Sequence, residues 1–105
     1  MVTDGPRQGE IWWATADKRR PVLIVTRSAA IPLLRTVTIA PVTRSVRQIP
    51  TEVALHQGNG LREECCASFD NLQLVPIELL TERVGTLGPD QRGEICRALE
   101  ALADC

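Results

Sequence analysis

Two short stretches of this chain hold groups that could act together on one substrate. The first is Lys18-Arg19-Arg20-Pro21, three cations ahead of an apolar run. The second is Pro41-Val42-Thr43-Arg44, a hydroxyl and a cation at the end of another run. Cations and an alcohol at one rim can hold a phosphodiester and stabilise negative charge that builds on it. Eleven of the twelve basic residues are arginine. Arginine stays charged and forks two donors onto one phosphate, which lysine cannot do. A solvated surface rich in arginine is the plainer account of the same composition.

Other chemistries are poorly provided for. His56 is the single histidine, so a pair of histidines acting as acid and base within one chain is excluded. No local motif suggests a Ser–His–Asp set, and no glycine-rich loop could cradle a phosphate. Cys65, Cys66, Cys96 and Cys105 form no C-x2-C pair, so zinc is not expected and the thiols read as structural. The adjacent Cys65 and Cys66 would face opposite sides of a strand, which predicts one of them in the core. Trp12 and Trp13 read the same way, one in the core and one half exposed. With Phe69 the only other aromatic residue, the chain lacks the stacking platform of ordinary single-strand binders. No cofactor is expected.

The elements that must position these residues follow from hydrophobic period. Residues 9–15 read as a strand carrying the tryptophans, and Asp17-Lys18 as a polar connection. Residues 21–26 are a nearly continuous β-branched run, so they predict a central strand with its proline at the entrance. Residues 28–35 form a loop. Residues 36–43 alternate threonine with apolar side chains, a third strand that Pro41 should bulge or end. Residues 51–56 alternate again, a fourth strand with one wet face. Gly58-Asn59-Gly60 is a turn, and residues 65–72 a fifth strand. One helical turn is expected at 76–80 and a short strand at 84–87. A helix from Pro89 to about Ala103 carries Ile95, Leu99 and Leu102 on one face. The spacing of the 18–21 and 41–44 stretches suits neighbouring strands whose ends meet at one rim. The result is a mainly β, α+β fold: a small, curved antiparallel sheet closed by a C-terminal helix.

Length and charge bound the rest. The chain has 105 residues, enough for one domain (1–105, with 1–8 as a loose leader). Its net charge is −1, yet residues 1–50 carry eight basic and three acidic side chains, and residues 51–105 four and ten. No uncharged run approaches the ~20 residues of a membrane helix, and no signal-peptide pattern opens the chain. A cytoplasmic protein without a membrane partner is therefore expected.

At these same residues the chain resembles the MazF/PemK family of toxin endoribonucleases. The matching stretches are Gly9-Glu10-Ile11-Trp12, residues 20–25 from Arg20-Pro21, residues 36–43 ending in Ala-Pro-Val-Thr, and Pro50-Thr51-Glu52-Val53. Gly60-Leu61, Asp70-Asn71-Leu72, Val84-Gly85-Thr86-Leu87 and Ala98-Leu99 follow in the family's order. The resemblance implies an SH3-like barrel that works as a homodimer. It implies metal-independent cleavage of single-stranded RNA to a 2′,3′-cyclic phosphate and a 5′-hydroxyl. It also implies inhibition by a cognate MazE-like antitoxin. Arg20 and Thr43 match the family's catalytic arginine and threonine. Lys18, Arg19, Arg44 and Arg47 become candidates for the RNA backbone track, and Asn71 for reading a base edge. The loop after the first strand is short and lacks the family's Gly-Ser-Glu stretch, which opens the substrate to mRNA, tRNA or rRNA. The alternatives are a non-catalytic module on the same barrel, for example one that binds a topoisomerase, and a degenerate member that only sequesters antitoxin.

Overall fold

Strand β1 (Glu10–Thr15) runs antiparallel to β2 (Arg19–Ile24), and β2 runs antiparallel to β3 (Thr36–Thr43). These come from a computed structural model that describes residues 5–15 and 18–103. The remaining strands are β4 (Glu52–Leu55), β5 (Cys65–Ser68), β6 (Gln73–Pro76) and β7 (Leu80–Thr86), followed by helix α1 (Gly93–Leu102). The sheet order is β4-β5-β3-β2-β1-β7, with β6 also paired to β3 and every pairing antiparallel. Short 3-10 turns at Ile31–Leu33, Gln57–Asn59, Phe69–Asn71 and Ile77–Leu79 join the strands.

The bend of this sheet creates two apolar clusters, one on each face. Ile11, Leu23, Val53, Leu55, Phe69 and Leu87 form the first, and Ile95 and Ala98 of α1 close it. Ala14, Val22, Ile24, Val37, Ile39 and Val75 form the second, capped by Ile31 and Leu80. A strand with both faces covered buries consecutive residues, which corrects three expectations. Cys65 and Cys66 are both buried, because β5 is covered on both sides. Trp12 and Trp13 are both half-buried: Trp12 donates its indole N–H to Glu10 at 3.0 Å, while Trp13 lies under the Arg19 guanidinium at 4.2 Å. Glu52, expected on the wet face of the fourth strand, is buried.

Pro41 does not end β3. It falls where that strand changes neighbours, from β6 along Thr36–Ile39 to β5 at Val42 and Thr43. The proline has no N–H to leave unpaired at the changeover. The expected fifth strand stops at Ser68, and a separate β6 follows a 3-10 turn. The seventh strand is longer than the 84–87 expected, and α1 begins only at Gly93. Leu102, expected to pack, is exposed beyond Ile95 and Ala98. Residues 1–4 of the expected leader, Ala16-Asp17 of the first connection, and Cys105 lie outside the described residues. Within the leader, Gln8 accepts no such looseness as a whole side chain: its amide donates to the Val25 carbonyl at 2.9 Å.

Two glycines close the barrel between the 57–59 turn and β7. Gly60 has φ +94, and a Cβ there would stand 2.4 Å from the Val84 carbonyl oxygen. A Cβ on Gly85 would stand 1.9 Å from the Asn59 carbonyl oxygen. The two backbones therefore touch with no room for a side chain. Buried Asn59 locks the contact, donating to the Thr86 carbonyl at 3.0 Å and to Gln91 at 2.8 Å.

Candidate active site

Register brings the two sequence-marked stretches together. Val22 lies opposite Pro41, Leu23 opposite Ala40 and Ile24 opposite Ile39. Carrying that antiparallel register two residues further sets Arg20 across from Thr43. Both also share a face, because Val22 and Ile24 alternate with Arg20, and Ile39 and Val37 with Thr43, in the second cluster. Arg20 and Thr43 thus continue the rows of that cluster past its apolar end.

There they line one cleft of about 370 Å³ with Ser45, Arg47, Ser68, Asn71 and Gln73. Two guanidiniums, hydroxyls and amides face it, and among the described residues neither a carboxylate nor an imidazole does. Arg20 is half-buried, and its side chain makes no ion pair or hydrogen bond among the described residues. Thr43 Oγ1 accepts the Ser45 N–H at 3.1 Å, which leaves its own proton free to donate. Asn71 donates one amide proton to Ser68 Oγ at 2.9 Å. The cleft is therefore a donor-rich, positive pocket suited to a phosphate.

The remaining candidates divide. Lys18 shares a smaller hollow with Arg20, beside Ile39 and Gln73. Arg47 lies in the cleft itself. Arg44 sits in a larger groove of about 710 Å³, with Trp13, Pro21, Leu61 and the other flank of Thr43, and pairs with Glu63 at 3.3 Å. Arg19 is not brought into the cleft. It alternates with Arg20 along β2, stacks on Trp13 and pairs with Glu82 at 3.3 Å. His56 is far from this chemistry; its Nδ1 accepts the Gly58 N–H at 3.0 Å and caps the 57–59 turn. Among the described residues, no group of three or more His, Cys, Asp or Glu is placed to hold a metal ion. Sequence reasoning missed Ser45, Ser68 and Gln73. Each is a small polar residue at a strand end, a pattern too common to mark a site.

Comparison with known proteins gives the cleft its context. Residues 7–103 match the family described as the PemK-like, MazF-like toxin of type II toxin-antitoxin systems. The chain belongs to this family. A probable endoribonuclease, MazF5, of Mycobacterium tuberculosis strain H37Rv is 36% identical over 107 aligned positions, covering 99% of this chain and 98% of that protein. Endoribonuclease MazF3 of the same organism is 41% identical over 86 residues, covering 82% of this chain and 84% of that protein. Among solved structures, the Mycobacterium tuberculosis toxin MazF-mt6 superimposes with a TM-score of 0.85 at 39% identity, over 90% of this chain and 96% of its own. A mycobacterial endoribonuclease in complex with its cognate antitoxin matches at 0.79 and 25% identity, over 91% and 92%. The MazF-like fold is thus the seven-stranded sheet and terminal helix described above.

Proposed function

We propose that this MazF-like toxin is an endoribonuclease that cleaves single-stranded RNA by transesterification at the Arg20–Thr43 cleft. The observation that carries the reading is the half-buried Arg20 guanidinium, without an ion pair or hydrogen bond among the described residues, lining one cleft with the Thr43 hydroxyl. In the reaction a ribose 2′-hydroxyl gives its proton to solvent water and attacks the adjacent phosphorus in line. The bond to the 5′-oxygen breaks, that oxygen takes up a proton, and a 2′,3′-cyclic phosphate and a 5′-hydroxyl remain. Charge accumulates on the non-bridging oxygens at the pentavalent stage. Arg20, a guanidinium and so a fixed cation, stabilises that charge and donates toward the leaving oxygen rather than acting as a base. Thr43 donates to a second phosphoryl oxygen. Arg47 and Lys18 hold neighbouring phosphates, and Asn71 reads a base edge with the amide oxygen it does not use on Ser68.

The partners proposed with this activity are RNA, a cognate antitoxin of the kind named in the mycobacterial complex, and a second copy of the chain. Leu33 and Leu74, 87% and 70% exposed, supply apolar surface for such a contact. No described helix is long and apolar enough to cross a membrane; a cellular RNA substrate supports a cytoplasmic location.

The test is cleavage of a mixed RNA pool by purified protein in excess chelator, with both new ends mapped. Cyclic phosphate and 5′-hydroxyl ends at a short preferred sequence, suppressed by antitoxin, are the expected result. RNA that stays intact with folded protein overturns the reading in favour of a binding module.

A further inference from the structure

The segment 44–50 between β3 and β4 is a strap with two different sides. Ser45 and Arg47 line the cleft of Arg20 and Thr43. Val46, Gln48 and Ile49 line a separate hollow of about 510 Å³ behind it, against Glu52, Cys66 and Arg97. The strap's own bonds are local turns: Val46 N–H to the Arg44 carbonyl and Glu52 N–H to the Ile49 carbonyl, both 3.0 Å. Such bonds alone do not decide which side faces the cleft.

Two side chains reach it from the packed body. Arg97 of α1 donates to the Pro50 and Glu52 carbonyls at 2.6 and 2.8 Å, fastening the end of the strap. Glu52 reaches its middle. One carboxylate oxygen, Oε1, accepts both the Arg47 and the Gln48 N–H at 3.0 Å each. Gln48 has φ 57, in the left-handed region, and this turns two successive N–H groups toward one acceptor. The second oxygen lies 3.6 Å from Arg47 Nε and has no hydrogen bond. The Glu52 side chain is 4% exposed. A desolvated carboxylate with an incomplete hydrogen-bond set is poor value as a stabiliser, since an apolar side chain of its size would pack at lower cost. Its bonds go to the Arg47 and Gln48 N–H groups of the strap, with Cys66 lying against it as well.

We infer that Glu52 is a positioning residue for RNA cleavage, gripping the backbone and guanidinium of Arg47 so that this cation stays in the cleft beside Arg20 and Thr43. The inference rests on the proposed ribonuclease function. It assigns specific work to a glutamate that makes no contact with substrate.

Two measurements on the full chain test it. The first is amide hydrogen exchange, which needs no activity. Arg47 and Gln48 amides are protected in the wild type, exchange at least about tenfold faster in Glu52→Ala, and keep part of their protection in Glu52→Gln, which retains one acceptor oxygen. Protection that ignores residue 52 overturns the inference. The second is a double-mutant cycle on RNA cleavage. Glu52→Gln raises KM about tenfold with little change in kcat, and adds no further loss in an Arg47→Ala background. A merely structural glutamate would impose the same loss in both backgrounds, and that result also overturns the inference. If the wild type cuts no RNA, the proposed function fails, and the exchange measurement alone decides whether Glu52 grips the strap.

Discussion

An arginine that is half-buried must replace the water it loses, and an exposed one need not, though five exposed arginines here find a carboxylate. Arg19, Arg44, Arg47, Arg83 and Arg97 each reach a carboxylate. Arg20, half-buried, reaches none among the described residues, which is why we propose it for an outside anion. Removing it costs the fold little and the reaction much. Arg20→Ala should lower kcat by about 10²–10³, with a thermal midpoint near that of the wild type. Thr43→Val should also slow cleavage, and Thr43→Ser should restore it, because only the hydroxyl is needed. Single-turnover cleavage with a melting curve for each variant checks both. Burial pushes the Cys66 thiol up to about 11, and the nearby Glu52 carboxylate adds to the shift. Cys65 moves in the same direction, by burial and then by Glu63. Both thiols therefore stay protonated and closed to alkylation near neutral pH, whereas Cys96 is exposed. Iodoacetamide followed by peptide mapping should label Cys96 well before either. The linkage has a sign: the fold favours the neutral thiols, so stability is fully present below pH 9 and falls as pH rises toward 11. A urea midpoint that did not fall over that range would contradict the shift.

At the scale of elements, the site depends on where strands change partners. β3 holds β2 on one edge and, on the other, β6 and then β5, and this bend presents Thr43 beside Arg20. The Gly60–Gly85 contact holds the 57–59 turn against β7. Gly85→Ala must push the 57–59 turn away from β7. We expect a loss of at least about 3 kcal/mol, a fall of roughly 12 °C or more in the thermal midpoint. A midpoint within a few degrees of the wild type would show that the contact can relax. The alternation of residues 36–43 and the β-branched run 21–26 made β2 and β3 legible in the sequence, and with them the meeting of Arg20 and Thr43. β6 was not legible, because Gln73-Leu74-Val75-Pro76 is short and ends in proline, and it borrows its stability from β3. Glu52 was misplaced for a related reason. A polar residue in an alternating strand reads as wet, and the pattern does not show that a strap will fold over it and supply two N–H donors. The paired burial of Cys65 and Cys66 likewise depends on distant parts of the chain, the first cluster around Cys65 and the Glu52 side chain and 44–50 strap beside Cys66, which no local window contains.

The whole molecule carries net charge −1, so RNA binding cannot rest on a general positive field and must come from the local cluster. Each phosphate-contacting cation should then be visible in the salt dependence of binding. Arg47→Ala and Lys18→Ala should each weaken binding of all RNA sequences alike and reduce the slope of log K against log salt by up to about 1. Arg92, exposed just before α1 and remote from the cleft linings, should leave the slope unchanged when replaced by alanine. Arg44 behaves differently because Glu63 already occupies it at 3.3 Å. An exposed pair of this kind is weak, worth under about 1 kcal/mol, so RNA competes with Glu63 for the guanidinium. Glu63→Gln should therefore strengthen binding by a few fold and steepen the salt slope, while Arg44→Ala in the Glu63→Gln background should remove that gain. Titration of a 2′-deoxy-blocked oligonucleotide from about 50 to 200 mM salt, the range over which counterion release is large, reads all five variants. Equal slopes for Arg47→Ala and Arg92→Ala would place the RNA track somewhere other than the cleft.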